Sequence, residues 1–237
     1  MSALVRAEAL KILTVRTLLW IAIGEIAFIG VSVIARVLTF GGVPDAAADR
    51  STAQFAASSM LFALLSGIFV MASESTHGTI TQTLLAAPVR ERVVLAKVLV
   101  AAATGLALAV LAELLTIAIG ASGGVLEVGH ARLLLVGTLV GAVLAGTVGV
   151  GVGTIFRAQG AAIAVSLLWL LIGESILAAA VGHGVRFFPG HAFAATAGGT
   201  RSGSDQVLGT WPGVLVAALY AAGFVVVGTA LLSRRDV

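Results

Sequence analysis

Long, continuous apolar stretches alternate with short polar segments along the chain, and six of the stretches are long enough to cross a membrane as helices. A transmembrane helix needs about 20 predominantly apolar residues. Sliding-window hydropathy places the six helices at residues 18–38, 55–72, 94–121, 133–156, 161–181 and 212–232. The runs lack the alternation of polar and apolar residues that is typical of membrane-barrel strands. The pattern therefore predicts an all-α integral membrane protein in which residues 1–237 form a single transmembrane domain.

Three segments outside the predicted spans have their own patterns. Residues 1–17 contain four charged side chains and lack the small-residue cleavage site that follows the apolar core of a signal peptide. We expect them to form a helix that lies along the inner membrane surface. Residues 182–210 are first apolar, with Pro189 and Gly190 inside the run, and then rich in Gly and Ser. This pattern predicts a partly re-entrant or interfacial hairpin followed by a flexible loop on the outer side.

Composition agrees with a membrane protein and excludes several other classes. The chain is 59% hydrophobic and 11% charged, whereas a soluble domain has about 25% charged residues. The 14 basic residues are scattered singly, without the dense patch that nucleic acid requires, so we expect no nucleic-acid partner. The chain has no cysteine, which excludes disulfides, thiolate metal sites and a cysteine nucleophile.

The distribution of basic residues predicts the orientation. With both termini in the cytoplasm, nine basic residues lie inside and five lie outside, which follows the positive-inside rule. The bias of the composition toward Arg, Ala, Val and Gly suggests a bacterial source. We therefore predict a multi-pass protein of a bacterial cytoplasmic (inner) membrane.

The third segment, residues 73–92, is predicted to be cytoplasmic and joins the second span to the third. The second span ends in Glu74, and Gly78 then interrupts the helix. Residues 79–87 can form a short helix, Pro88 ends it, and basic residues lead into the third span at Lys97. A short helix at the cytoplasmic surface is suited to docking a partner protein.

This segment resembles the ABC-2 type permeases, the membrane subunits of bacterial exporters. In that family a Glu, a Gly-Thr pair, a Leu before Pro-Val or Pro-Ile, a basic residue and a Lys that enters the third helix recur. The resemblance extends to the six-span layout with an N-terminal interfacial helix and an external hairpin, so it implies the type V exporter fold. It implies that the residues which couple the chain to an ATPase are Glu74, Gly78, Thr79, Thr83, Leu84, Pro88, Val89 and Arg92.

The resemblance also implies partners and cofactors. The chain has no G-x-x-x-x-G-K-[ST] motif, so ATP and Mg²⁺ are expected on a separate ATPase chain, with no cofactor in this one. Two ATPase copies would drive two permease copies, as a homodimer or a heterodimer, and the substrate would move outward between the permeases. The resemblance is compatible with a lipophilic or amphipathic cargo such as an antibiotic, a peptide or a lipid, and with a role in drug or antibiotic resistance.

Four residues inside predicted spans are candidates for a substrate path: Glu25, Glu113, Trp169 and Glu174. A charge in the middle of a bilayer costs about 2.5–3.5 kcal/mol on insertion scales, so each carboxylate should face protein, water or a counter-ion. One hypothesis is that the glutamates line a polar route for a cationic or amphipathic substrate. The other is that they are neutral, or hydrogen-bonded to neighbouring helices.

Small residues in the fourth span leave two interpretations open. Six glycines occur there, at positions 137, 141, 146, 149, 151 and 153, and small residues at such spacings let helices approach closely. They can serve packing within the chain, or else a dimer contact or a hinge.

Other function classes have weaker support. A proton- or ion-coupled secondary transporter would also explain intramembrane glutamates, but it would more often have internal repeats and broken helices. An intramembrane protease would need a Ser–His pair, and Ser175 and His183 are about 12 Å apart on a helix. No ligand pattern joins His130, His183 and His191 into a metal site.

Overall fold

The computed structural model describes residues 1–14, 16–40, 46–86, 89–198 and 208–234, and every regular element in them is helical. The eleven α-helices of these residues are α1 Ser2–Thr14, α2 Arg16–Phe40, α3 Ala46–Ala56, α4 Ser59–Thr76, α5 Ile80–Ala86, α6 Arg90–Ser122, α7 Val128–Phe156, α8 Gln159–Leu168, α9 Glu174–Val181, α10 Pro189–Thr196 and α11 Thr210–Arg234. A π-helical turn, Trp169–Gly173, joins α8 to α9, and a 3₁₀ turn, Gly182–Phe187, precedes α10.

Six helical stretches of the described residues are long and apolar enough to cross a membrane, which confirms the predicted number of spans. Each stretch contains one predicted span and extends it by zero to six residues at either end. The stretches are Arg16–Phe40, Asp49–Thr76, Arg90–Ser122, Ala131–Phe156, Gln159–Val181 and Thr210–Arg234. The chain is therefore an all-helical, multi-pass membrane protein, and the location of α1 at the membrane surface stays a prediction.

The second span differs from its prediction at its start. Hydropathy placed the start at Phe55, but Phe55 lies in α3, and a tight turn at Ala57 and Ser58 separates α3 from α4. The Ser58 hydroxyl donates a hydrogen bond to the Phe55 carbonyl oxygen at 2.6 Å, a local bond that competes with regular helix geometry. One apolar run thus contains two helices.

Helices α4, α6 and α7 form the centre of the bundle, and glycines allow their backbones to touch. A Cβ atom at Gly105 would lie 2.6 Å from the Ala142 carbonyl oxygen, and one at Gly146 would lie 2.7 Å from that of Ala101. Gly151 of α7 is packed equally closely against Phe224 of α11. The glycines of the fourth span therefore serve packing within the chain. The other spans, α2, α8 to α9 and α11, are mostly exposed.

Contacts between the helices define the two ends of the bundle. Gly30 lies against Leu115, and Val37 lies against Gly123, so α2 and α6 run parallel. The N-terminal face is the end that holds α1, α5, the end of α4 and the start of α6. The hairpin face is the opposite end, where α3 meets the end of α6 and α10 meets the start of α11.

The predicted external hairpin is helical in its described part. Residues 182–188 form the 3₁₀ turn and its exit, and α10 packs against α11 and α7 with His191, Ala192 and Ala195 buried. Pro189 is the first residue of α10, where its missing N–H costs nothing. The predicted flexible loop lies mainly outside the described residues, since residues 199–207 are among those not described.

Candidate functional site

A buried group of opposite charges lies at the N-terminal face, and we call Glu8, Lys11, Glu74 and Lys97 the charge cluster. The Lys97 side chain is 0% exposed, and its Nζ atom lies 2.7 Å from Glu8 Oε2 and 2.8 Å from Glu74 Oε1. Lys97 Nζ also donates to the Val70 carbonyl oxygen at 3.1 Å. The ammonium group therefore has three oxygen acceptors inside the protein.

Lys11 completes the cluster from α1. Its Nζ atom lies 2.7 Å from Glu8 Oε1 and 2.8 Å from Glu74 Oε1, so the two lysines bind the same two carboxylates. Partial burial lowers the pKa of Lys11, but the hydrogen bonds to Glu74 and Glu8 outweigh this effect and raise the pKa above its ordinary value. Lys11 is therefore charged at neutral pH, and the cluster has two positive and two negative members.

The short helix α5 is attached to this cluster through Thr83. The Thr83 hydroxyl donates to Glu74 Oε2 at 3.2 Å and lies 3.5 Å from Lys11 Nζ. Glu74 thus contacts α1, α5 and α6 while it belongs to α4.

The turn between α4 and α5 explains the Gly78 that the sequence singled out. The Thr79 N–H donates to the Glu74 carbonyl oxygen at 2.9 Å, and the Gly78 N–H donates to that of Ser75 at 3.4 Å. This pair of bonds is the Schellman motif, which requires a left-handed residue after the helix. Gly78 has φ +70°, a conformation that glycine adopts without steric cost.

The other predicted coupling residues lie around this turn. Val89 and Arg92 are exposed at the start of α6, and Thr79 is exposed before α5. The side chain of Leu84 and all of Pro88 lie outside the described residues. Leu85 is 80% exposed on α5, which is unusual for a leucine at the polar end of a membrane protein. A cavity of about 620 Å³ adjoins the cluster between α1, α2, α4 and α5.

Glu174 has a different environment, near the hairpin face. Its Oε1 atom accepts hydrogen bonds from the Gly190 N–H at 2.6 Å and the Trp169 indole N–H at 3.1 Å, and its Oε2 atom lies 3.0 Å from His191 Nδ1. The π-helical turn between Trp169 and Glu174 aligns these two side chains. Gly190 lies in the first turn of α10, where unpaired N–H groups favour a carboxylate. Glu174 therefore anchors α10 to the fifth span.

The anchor leads to a prediction for Glu174→Leu. The substitution removes the acceptor for three groups, and hydrogen bonds to a charged group contribute about 1.5–3 kcal/mol each. We expect limited proteolysis at residues 182–188 to be faster by about tenfold or more. Glu174→Gln is the matched control, because its amide oxygen can still accept from Gly190 and Trp169. Equal cleavage of wild type and Glu174→Leu would show that α10 is held by other contacts.

Glu25 and Glu113 are the two candidate path residues that lack such partners. Glu25 is 0% exposed, and neither of its carboxylate oxygens has a hydrogen-bond partner among the described residues. Glu113 Oε1 is buried without a partner in the same part of the chain. Of the four predicted path residues, Trp169 and Glu174 therefore lie together, and Glu25 and Glu113 lie elsewhere.

No family model, curated protein or solved structure matches this chain. Among the described residues, no group of three or more His, Cys, Asp or Glu side chains is placed to hold a metal ion. The charge cluster and the buried carboxylates of Glu25 and Glu113 are therefore the features of the chain from which a function can be inferred.

Sequence reasoning missed two members of the cluster, Glu8 and Lys11. They are spaced i, i+3 on α1, a separation at which opposite charges meet on one helix face. Because charged residues are scarce in this chain, that spacing was a usable signal. Arg90 was also missed: its guanidinium donates to the carbonyl oxygens of Leu232 and Ser233 and thereby binds the last turn of α11.

Proposed function

We propose that the chain is the permease subunit of an ATP-driven exporter and that α5, with the charge cluster behind it, is its contact with a separate ATPase subunit. The observation that supports this most is the position of Glu74, which accepts from Lys11, Thr83 and Lys97 on three different helices. Through this residue α5 is connected to α1 and to the second and third spans. That is the property a coupling element needs.

The exposed surface of α5 also supports a partner on this face. Leu85 is 80% exposed, and Val89, three residues past the end of α5, is exposed as well. Apolar side chains at the polar end of a bundle are unfavourable in water and favour burial against another protein. ATP and Mg²⁺ would be bound by that partner, in two copies for a permease dimer. The cargo would be a lipophilic or amphipathic molecule that moves outward.

Replacing Leu85 tests the docking surface. We expect Leu85→Ala to weaken the complex with the proposed ATPase subunit by on the order of tenfold, as loss of a buried interface anchor does. The folded chain itself should change by less than about 0.5 kcal/mol, because the side chain is exposed. Co-purification in detergent and a binding titration measure the affinity.

Leu10→Ala is the matched control, because Leu10 is an exposed leucine of the same face on α1. It should leave the affinity unchanged. If Leu85→Ala binds the ATPase as tightly as wild type, α5 is not the docking helix. If no ATPase co-purifies with the wild-type chain, the exporter proposal fails.

A secondary transporter is the second candidate, and the unpartnered carboxylate of Glu25 is the observation that favours it. Such a transporter would move its substrate in proteoliposomes that contain this chain alone and a proton or sodium gradient. The exporter requires the ATPase and ATP under the same conditions. This comparison separates the two candidates.

A further inference from the structure

Four polar side chains of helices α2, α4 and α6 have buried oxygens without hydrogen-bond partners among the described residues. They are Glu25 of α2, Ser59 of α4, and Glu113 and Thr116 of α6, and we call them the polar column. Glu25, Ser59 and Thr116 are 0% exposed. Buried polar groups are satisfied in the great majority of cases, so four unsatisfied ones in three adjacent helices need an explanation.

Helix contacts show that the members of the column lie close in depth. Because Gly30 lies against Leu115 in the parallel pair α2 and α6, Glu25 is level with Val110. Ala63 lies against Gly105, and Ala56 packs in one cluster with Ala112. Helices α4 and α6 are therefore antiparallel, and Ser59 is level with Ala109.

The remaining two members continue the column toward the hairpin face. At 1.5 Å per residue, Glu113 lies about 4.5 Å beyond the level of Glu25, and Thr116 lies about 9 Å beyond it. Ile29 and Ala112, which are neighbours in the same apolar cluster, lie between these levels. The four residues therefore span about 9 Å of depth, from the level of Glu25 toward the hairpin face.

Two other buried carboxylates of the described residues have hydrogen-bond or ion-pair partners, unlike the Glu25 carboxylate. Glu74 and Glu174 are buried in the same bundle, and each has three polar partners. An ionised, unpaired carboxylate inside a membrane costs several kcal/mol. Glu25 therefore differs from them in having no partner among the described residues.

Aromatic rings of α2 and α4 near Glu25 indicate the chemical class of a ligand. The Phe62 ring approaches the position of a Cβ atom on Gly24 to 3.7 Å, and the Phe28 and Phe62 ring centroids are 6.3 Å apart. A carboxylate with aromatic faces suits an organic cation, which gains from both. A metal ion of the calcium or magnesium type needs about six oxygen ligands, and among the described residues no group of three or more His, Cys, Asp or Glu side chains is placed to hold one.

The exposure of α2 indicates the route of entry. Ile23, Ile26 and Phe28 are exposed on the side of α2 that faces away from the bundle, and most of α2 is not buried within the chain. A separation of α2 from α4 and α6 would open Glu25 to the bilayer. A ligand that dissolves in lipid and carries a positive charge could then reach it.

We propose that Glu25 is the binding site of a lipophilic organic cation and that a proton occupies the carboxylate when the cation is absent. The cation displaces the proton from the Glu25 carboxyl group, the proton leaves to water, and the cation contacts Phe28 and Phe62. This inference rests on the proposed export function and names the class of its cargo.

Glu113, whose buried Oε1 atom has no partner among the described residues, is the titratable group nearest in depth to Glu25. Glu113 is the one charged residue of α6 within two turns, and α4 has none between Ser59 and Ser73. The charged residues of α1 and the start of α6 lie at the N-terminal face, where the charge cluster is neutral as a whole. The charged residues near the hairpin face include Arg36, Asp49, Arg50, Glu127 and Arg132.

Binding of tetraphenylphosphonium to the purified chain in lipid nanodiscs tests this inference. We expect binding to wild type that weakens as the pH falls, because the proton competes for Glu25. Glu25→Gln should lose affinity by on the order of tenfold or more, whereas Glu25→Asp should retain pH-dependent binding. Glu91→Gln is the matched control, since Glu91 is exposed at the start of α6, and it should bind as wild type does.

A second measurement does not depend on a folded variant. Dicyclohexylcarbodiimide reacts with protonated carboxyl groups in apolar surroundings, and mass spectrometry should locate its adduct on Glu25 of the wild-type chain. Tetraphenylphosphonium should slow this labelling, and neutral triphenylphosphine oxide should not. No binding of the cation, equal binding by wild type and Glu25→Gln, or labelling that the cation does not slow would each overturn the inference. Failure of the ATPase to co-purify is a separate result that leaves these measurements unchanged.

Discussion

Replacing Lys97 with methionine is expected to lower the free energy of unfolding by about 3–5 kcal/mol, the cost of breaking a buried ion pair from one side. Lys97 is fully buried and binds both Glu8 and Glu74. Its loss leaves two buried carboxylates with Lys11, which is 47% exposed at its side chain and compensates them only in part. Thermal or denaturant unfolding of the detergent-solubilised chain measures the effect.

Two further variants separate the charge effect from the change in packing. Arg92→Met removes a cation that is exposed on the same helix, and its stability should stay within about 0.5 kcal/mol of wild type. The double variant Glu8→Gln with Lys97→Met removes one charge of each sign and should recover part of the loss. A Lys97→Met protein as stable as Arg92→Met would contradict the charge cluster as a stabilising unit.

Replacing Gly149 with alanine should destabilise the bundle by about 1–3 kcal/mol or more, the cost of overpacking a well-packed core. A Cβ atom there would press against the Leu64 carbonyl oxygen, lie 2.8 Å from the Ile68 nitrogen and lie 2.9 Å from the Gly67 Cα atom. All three are backbone atoms, so no side chain can rotate to make room. Unfolding in detergent again provides the measurement.

Gly223→Ala provides the matched control for this prediction. Gly223 lies on α11, and a Cβ atom there would meet nothing within 4 Å. Alanine is favoured over glycine in a helix by about 1 kcal/mol, so this variant should be as stable as wild type or slightly more so. Equal stability of the two variants would show that α4 and α7 can separate without cost.

The sequence predicted the spans well because hydropathy over about 19 residues is a strong signal in a membrane protein. It did not separate α3 from α4, since the turn at Ser58 lies inside an apolar stretch and depends on one local hydrogen bond. It predicted a continuous fifth helix, whereas a π-helical turn at Trp169–Gly173 aligns Trp169 with Glu174. Such a turn leaves no mark in hydropathy.

The candidate site was predictable in part. The segment from Glu74 to Lys97 was singled out from its polar pattern, and Gly78 and Thr83 have clear local roles in the structure. The pairing of α1 with this segment was not predictable, because Glu8 and Glu74 are 66 positions apart in the sequence. The three intramembrane glutamates were found together from hydropathy, but only their partners distinguish Glu174, an anchor, from Glu25.

The most direct test of the proposed coupling through Glu74 is ATP hydrolysis by the complex of this chain with the proposed ATPase subunit, compared between wild type and Thr83→Val. The variant keeps the shape of Thr83 but removes the donor to Glu74 Oε2. Thr229→Val is the control, because the Thr229 hydroxyl bonds only within α11. The proposal predicts that Thr83→Val still binds the ATPase but no longer stimulates its activity, whereas Thr229→Val does both. Normal stimulation by Thr83→Val would contradict coupling through Glu74.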